Sequence, residues 1–193
     1  MNVGATKPSD YGLYFQWGDT QGYTKDQVGT GEGKKKFASD WSDYKWRLSG
    51  DSDDNVAFTK YTNSDDKLEL EDDAAHIYMG GSWHMPTDEQ IDELLDNTTN
   101  AWTELENVSG ITFTSKKDTS KSIFIPNAGV ALDGSVDYDN EHGILVCGSM
   151  VGIMFIHDVY GLLYFDDDHS AYSNYYIERY RGIPVRGVIG EIK

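Results

Sequence analysis

The chain has 193 residues and a formal net charge of −17, with 16 Lys and Arg against 33 Asp and Glu. A surface of that sign repels phosphate groups, which argues against nucleic acids and anionic membranes as partners. A single cysteine, Cys147, excludes a disulfide framework within one chain. Hydrophobic residues make up 38% of the chain, which predicts a globular protein formed by one domain, 1–193.

Targeting and membrane patterns are missing from the sequence. The residues from Met1 to Ala5 lack the basic-then-apolar order of a signal peptide. The most apolar stretch, 143–156, is too short to span a bilayer and contains three glycines. We therefore expect no membrane insertion, and we expect strands and loops in that stretch.

The first quarter of the chain predicts one buried strand followed by polar loops. Residues 11–18 carry apolar side chains at a spacing of two, which predicts a strand with one buried face, formed by Leu13, Phe15 and Trp17. Residues 19–40 and 49–56 are rich in Gly, Lys or Asp and predict loops. The aromatic residues between the two loops are expected to anchor a short element to the core: Trp41, Tyr44 and Trp46.

The clearest helix prediction begins at Thr87. Thr87 and Gln90 have the spacing of a capping box, and apolar residues then recur at helical spacing as far as Trp102. A shorter helix is predicted over 69–76. Further along, strands are predicted over 111–115 and 122–126, and a meander of strands and loops is predicted from 143 onward.

No catalytic or metal-binding motif emerges from the sequence. The five histidines are scattered, and neither a nucleophile elbow nor a phosphate loop is present. His157–Asp158 and 166–169 form the densest polar group, which we interpret as part of a binding face, with a metal site as the alternative. Carboxylate pairs for glycoside chemistry stay open, because an acidic protein has many carboxylates. We predict a non-enzymatic protein without a metal or cofactor.

Several sequence words occur in order along nearly the whole chain: NVGAT (2–6), DYGLYFQWGDT (10–20), LEDDAA (70–75), GGSWHMPT (80–87), SIFIP (122–126), LYF (163–165) and RYRGIPVRGV (179–188). Together they resemble the Fibrobacter succinogenes major paralogous domain, a family common in gut Bacteroidetes and their phages. The resemblance implies an α+β, C-type lectin-like fold related to that of formylglycine-generating enzymes, with mixed short strands, one or two helices and long loops. The enzyme relatives use paired cysteines, so catalysis is not carried over to a chain with Cys147 alone.

The resemblance also implies a function. Some members of the family are variable proteins of diversity-generating retroelements, in which a reverse transcriptase randomises adenines of a template copied into the C-terminal coding segment. Their products bind ligands at phage tail tips or bacterial surfaces. For this chain it implies a display protein of the virion tail or bacterial cell surface, with 143–183 as the variable ligand-binding region. The partner would be a protein or glycan on a bacterial or host surface, and oligomerisation stays open. The alternative is a non-diversified adhesin or structural domain of the same fold.

The composition of 143–181 agrees with adenine randomisation. Randomised Asn codons that end in a pyrimidine cannot yield Trp, Gln, Met, Lys or Glu. These 39 residues contain one Lys, Gln, Glu or Trp, namely Glu178, whereas the other 154 contain 30, so about eight (39 × 30/154) would be expected. Met150 and Met154 would then be fixed by the template or arise by chance. A β-rich segment that avoids long charged residues is the alternative explanation.

The predicted ligand contacts combine aromatic, polar and apolar positions of this segment. Tyrosine offers a large contact area at low entropic cost, and an exposed apolar patch marks an interface. The predicted contacts are Ile153, Phe155, His157, Val159, Tyr160, Asp166, Asp168, His169, Tyr172, Asn174, Tyr176, Tyr180 and Ile183. Leu163 and Phe165 are assigned to the core, and Arg186 is interpreted as a structural pairing residue.

Overall fold

Short strands dominate the secondary structure, and helices are few. In this computed structural model the described residues are 1–52, 54–63, 65–137, 139, 141–145, 148, 158–165 and 171–190, and of 158–165 and 172–176 the backbone alone is described. The strands are β1 (Tyr14–Phe15), β2 (Arg47–Ser49), β3 (Ala57–Phe58), β4 (Trp83–His84), β5 (Thr98–Leu105), β6 (Val108–Ser115), β7 (Ser122–Pro126), β8 (Val130–Leu132), β9 (Ser135–Asp137), β10 (Gly143–Leu145), β11 (Asp158–Phe165), β12 (Ala171–Glu178), β13 (Ile183–Pro184) and β14 (Val188–Ile189). The helices are α1 (Ala74–Met79) and α2 (Asp88–Asn97), with 3₁₀ turns at Lys25–Gln27, Trp41–Asp43 and Leu70–Asp72. The α+β prediction is therefore confirmed.

The strands pair in small antiparallel sheets. Two sheets have three strands each, in the orders β5–β6–β7 and β10–β11–β12. The two-stranded pairs are β1 with β13, β4 with β14, β2 with β3, and β8 with β9. Since β13 and β14 pair with β1 and β4, the last part of the described chain is joined by hydrogen bonds to the first half.

The core combines side chains from distant parts of the chain. Val3, Phe15, Ile91, Ile111 and Val185 belong to one hydrophobic cluster and are each at most 2% exposed. A second cluster is mainly aromatic and contains Trp41, Tyr44, Val56, Phe58 and Tyr180. The prediction that aromatic residues near position 41 anchor a short element is confirmed, because Trp41 belongs to a 3₁₀ turn and is buried.

The predicted strand over 11–18 is shorter than expected and is buried on both sides. The strand there covers only Tyr14 and Phe15, and Tyr14 is 0% exposed, against 2% and 3% for the predicted inward residues Phe15 and Trp17. The side-chain amide of Gln16 is also buried, because it donates hydrogen bonds to the Tyr180 carbonyl at 2.8 Å and to Asp43 at 3.1 Å. A one-faced strand was therefore the wrong prediction, since tertiary partners cover both sides.

The α2 helix begins as predicted. Thr87 Oγ1 accepts a hydrogen bond from the Gln90 N–H at 3.3 Å, and Gln90 Oε1 accepts one from the Thr87 N–H at 2.9 Å. The helix ends before Trp102, which lies on β5, because Thr and Asn at the start of β5 favour other conformations. The helix predicted over 69–76 is divided into a 3₁₀ turn and α1. Strands β6 and β7 confirm the predictions over 111–115 and 122–126.

Candidate functional site

The described part of the predicted ligand surface is the sheet formed by β10, β11 and β12. Strand β10 pairs with the end of β11, and at the other end of the hairpin Asp158 lies opposite Glu178. The register between β11 and β12 shifts on both sides of Leu162. Bulges of this kind increase the local twist and redirect side chains. Helix α2 lies beside β11, so this sheet is supported along one of its long strands.

Five of the predicted ligand contacts lie on this sheet. Strand β11 carries Val159 and Tyr160, and β12 carries Tyr172, Asn174 and Tyr176. All five backbone positions lie on one antiparallel hairpin: Val159 is opposite Ile177, next to Tyr176, whereas Tyr172 is opposite Tyr164, towards the other end.

The other predictions for this region fall outside the described residues or side chains. Six predicted contacts belong to this group: Ile153, Phe155, His157, Asp166, Asp168 and His169. The assignment of Leu163 and Phe165 to the core concerns side chains that also lie outside the description.

Tyr180 and Ile183 are buried, which corrects their prediction as ligand contacts. They are 7% and 2% exposed. The Tyr180 ring packs edge-on against Trp41 with 4.8 Å between centroids, and Ile183 lies opposite Phe15 in the β1–β13 pair. The chain enters the core directly after β12, so neither side chain is available to a ligand.

Arg179 fixes the end of β12 to the core. Its side chain is fully buried, and the guanidinium carbon lies 4.0 Å from the ring centroid of Phe58 and 5.5 and 5.6 Å from those of Trp17 and Tyr44. Aromatic faces attract a cation in this position. Its Nη1 donates to the Tyr61 carbonyl at 3.0 Å, and the Arg179 carbonyl accepts the Trp17 N–H at 3.0 Å. These contacts attach β12 to three other segments of the chain.

Asp72 forms a second buried charge centre. Its carboxylate accepts hydrogen bonds from Lys45 Nζ at 3.0 Å, Lys60 Nζ at 2.6 Å and the Tyr61 hydroxyl at 2.7 Å. Burial raises the pKa of Asp72, but the hydrogen bonds from Lys60, Tyr61 and Lys45 outweigh it and leave the pKa below its usual value. The LEDDAA word therefore carries a structural ion pair.

The acidic side chains around Asp72 do not point to a metal site. Glu69, Glu71 and Asp72 are close enough to share an ion, the one such group found in the described part of the chain. Lys60 Nζ already lies 2.7, 3.5 and 2.6 Å from their oxygens. The ammonium group of Lys60 therefore occupies the position that a metal ion would take.

A groove of about 330 Å³ lies between α2 and the edge of β7. Apolar side chains from several elements line it, including Ile91, Leu94, Ile123, Ile125, Leu145 and Val188. Arg186 also lines the groove, and its Nη1 donates to the Phe124 carbonyl at 3.1 Å. This bond agrees with the structural role predicted for Arg186. The groove itself was missed, because its walls come from residues far apart in the sequence.

His76 and His84 each contact a backbone carbonyl through Nδ1. His76 Nδ1 lies 3.2 Å from the Trp83 carbonyl, and His84 Nδ1 lies 2.6 Å from the Met85 carbonyl. Both contacts stabilise the segment around β4. None of the helices in the described ranges combines the length and hydropathy needed to cross a membrane.

Comparison of the chain with protein-family models, with curated proteins and with solved structures found no match. Support for a function therefore comes from the sequence words, the composition of 143–181 and the described sheet.

Proposed function

We propose that the chain is a non-enzymatic ligand- or receptor-binding display domain with a C-type lectin-like fold, whose residues 143–183 are diversified by a retroelement. The proposal rests on the resemblance of the sequence words to the Fibrobacter succinogenes major paralogous domain. The observation that carries it is the position of those words in the fold, relative to the candidate variable segment.

The words supply much of the core. Trp17, Ala75, Met85, Ile125 and Arg179 come from five different words, and each is at most 3% exposed. Protein interiors are packed so closely that a change of one methylene is felt. Buried words are therefore the residues expected to stay constant while a surface elsewhere varies.

The candidate variable segment is fixed at both ends. Ile144 and Leu145 are 6% and 4% exposed at its beginning, and Ile177 and Arg179 are 3% and 0% exposed near its end. Between these ends the paired strands β11 and β12 hold their backbone in a sheet, and side chains presented from paired strands lose little backbone entropy when they bind. This arrangement supports a surface that changes its side chains on a constant backbone, as variable loops do on an immunoglobulin scaffold.

The composition of the segment supports the same proposal. Its scarcity of Lys, Gln, Glu and Trp matches adenine randomisation, and its tyrosines suit recognition of protein or glycan surfaces. The partner is a protein or glycan on a bacterial or host surface. We place the protein on a virion tail or bacterial cell surface.

The deciding experiment is to sequence this locus, with its flanking DNA, from many independent isolates. Substitutions should concentrate between 144 and 183 at template adenines, but should spare Leu145, Ile177, Arg179, Tyr180 and Ile183, which are buried. Variation spread evenly along the gene, without a template repeat nearby, would leave only a non-diversified surface domain.

A binding experiment tests the surface directly. Gut bacterial cells would be incubated with the fluorescently labelled protein and with a variant in which five positions of β11 and β12 become Ser: Val159, Tyr160, Tyr172, Asn174 and Tyr176. Binding should be lost in this variant and kept in a control with Thr99→Ser and Thr114→Ser on the β5–β6 hairpin. Circular dichroism would verify that both fold. Equal binding by the two variants would contradict the proposed surface.

A further inference from the structure

Arg186 is a partly buried cation to which none of the described residues offers a carboxylate partner. Its Nη1 donates a hydrogen bond to the neutral Phe124 carbonyl, whereas Arg181 Nε lies 2.6 Å from a Glu178 oxygen. Burial lowers the pKa of the Arg186 guanidinium, and no carboxylate offsets that effect among the described residues. In a chain with 33 Asp and Glu, an arginine that has no ion pair with the described residues is unusual, because buried charges are normally paired.

The groove places this cation against an apolar surface. Leu94, Ile123, Ile125 and Val188 line the same space, whose volume of about 330 Å³ is in the range of small-molecule sites. Glu93 lies at the helix side of the groove, but it is exposed. Water and salt therefore screen Glu93 more strongly than they screen Arg186.

We propose that this groove binds a small amphipathic carboxylate, whose anionic head group contacts Arg186 and whose hydrocarbon body lies along Leu94, Ile123 and Val188. Charge complementarity selects this occupant, since guanidinium groups match carboxylates in shape as well as in charge. The apolar body supplies the affinity, because the net charge of −17 repels anions at long range. This inference is independent of the proposed display function.

Decanoate is the probe, titrated into the full chain labelled on Ile, Leu and Val methyl groups for NMR. The methyl signals of Leu94, Ile123, Ile125 and Val188 should shift together with one dissociation constant. Decanol, which lacks the charge, should bind at least about tenfold more weakly, because a hydrogen bond to a charged group is lost. Arg186→Met should abolish that discrimination between the acid and the alcohol.

A surface variant keeps the test valid if Arg186→Met does not fold. Ile123 is 37% exposed at the rim, so Ile123→Glu should preserve the fold and weaken decanoate binding at least about tenfold. The matched control Ile77→Glu changes a residue that is 51% exposed on α1 and should leave binding unchanged. Decanoate that shifts methyls elsewhere, or binds no better than decanol, would overturn the proposal.

Discussion

Asp72 joins three separate segments of the chain through one carboxylate. Its partners Lys45, Lys60 and Tyr61 lie before it in the sequence, on both sides of the β2–β3 hairpin. Taking such charges out of water costs several kcal/mol, and the pairing and hydrogen bonds offset that cost. Removing only the carboxylate charge would leave two ammonium groups without their partner.

Replacing Asp72 by Asn should therefore lower the free energy of unfolding near neutral pH by about 2 kcal/mol. Because the folded-state pKa of Asp72 is lowered, its contribution is complete above about pH 4 and is lost as the pH falls through the folded-state value. The difference from wild type, measured by urea unfolding, should be large at about pH 7 and about pH 5 and smaller at about pH 3.

Glu71→Gln is the matched control for this change. The Glu71 side chain is 75% exposed, and its carboxylate lies 3.5 Å from Lys60 Nζ. Removing its charge should therefore lower the free energy of unfolding only slightly. A difference between wild type and Asp72→Asn that stays constant with pH would mean that the charge of Asp72 does not stabilise the fold.

Arg179 is the residue for which a conservative change should cost most. Arg179→Lys keeps the charge but loses the planar guanidinium that lies over Phe58 and donates to the Tyr61 carbonyl. We expect a loss of about 2–3 kcal/mol in urea unfolding followed by Trp fluorescence. Arg47→Lys, which changes a partly exposed arginine bonded to the Gly50 carbonyl, should cost less than about 1 kcal/mol. Equal losses for the two variants would contradict a special role for the aromatic contacts.

At the scale of elements, two hairpins use the same kind of tight turn with different residues. The β8–β9 turn has Asp133 and Gly134 at φ 46° and 79°, and the β5–β6 turn has Glu106 and Asn107 at φ 54° and 63°. Positive φ at both central positions is typical of type I′ turns, for which Asp-Gly is a preferred pair. Glutamate is less favoured than Asp at the first of these positions, but the Glu106 carboxylate accepts hydrogen bonds from Lys7 Nζ at 2.5 Å and from the Ser9 hydroxyl at 2.6 Å.

Asn107→Gly should stabilise the β5–β6 hairpin. The Asn107 side chain is exposed, and glycine adopts positive φ without steric cost, so we expect a gain of about 0.5 kcal/mol in the free energy of unfolding. The reverse change at the other turn, Gly134→Asn, should destabilise, because its Cβ would lie 2.6 Å from Thr30 Cγ2. Thermal melts of both variants check the prediction, and a lower melting temperature for Asn107→Gly would contradict it.

At the scale of the whole molecule, local signals predicted the elements and long-range contacts determined burial. The start of α2 was predictable, because Thr87 and Gln90 are only three positions apart. The burial of Gln16 was not, because its amide reaches the Tyr180 carbonyl, 164 positions away. The burial of Tyr180 was missed for the same reason, since its ring packs against Trp41.

The sequence likewise pointed to one part of the candidate site, the β11–β12 hairpin, and not to the other, the groove beside α2. The composition of 143–181 drew attention to the hairpin of β11 and β12, because this segment is poor in Lys, Gln, Glu and Trp, which randomised Asn codons ending in a pyrimidine cannot yield. The groove beside α2 left no such record, since α2, β7, β10 and β14 meet there only in the fold. Arg186 between apolar neighbours was the one sequence signal of the groove, and the sequence favoured a structural pairing role for that residue.

The net charge of −17 is a property of the molecule as a whole, and it opposes compaction. Ion pairs relieve only part of this repulsion, because 33 acidic side chains face 16 basic ones. Some pairs are also exposed, such as Lys7 with Glu106, whose side chains are 52% and 54% exposed. Exposed ion pairs contribute little to the stability of the fold, so screening them with salt lowers that stability only slightly. Repulsion among unpaired carboxylates is therefore the larger of the two effects that salt weakens.

Raising NaCl from about 20 mM to about 500 mM should thus increase the melting temperature near neutral pH by several degrees, as the Debye length falls to about 4 Å. Near pH 4.4, the isoelectric point of the sequence, the same salt step should have almost no effect, because the net repulsion is gone. Differential scanning calorimetry at the two pH values separates screening from a general effect of NaCl on hydration, which would act at both. A melting temperature that falls with salt at neutral pH would mean that ion pairs such as Lys60–Asp72, and not repulsion, dominate the electrostatic free energy of this fold.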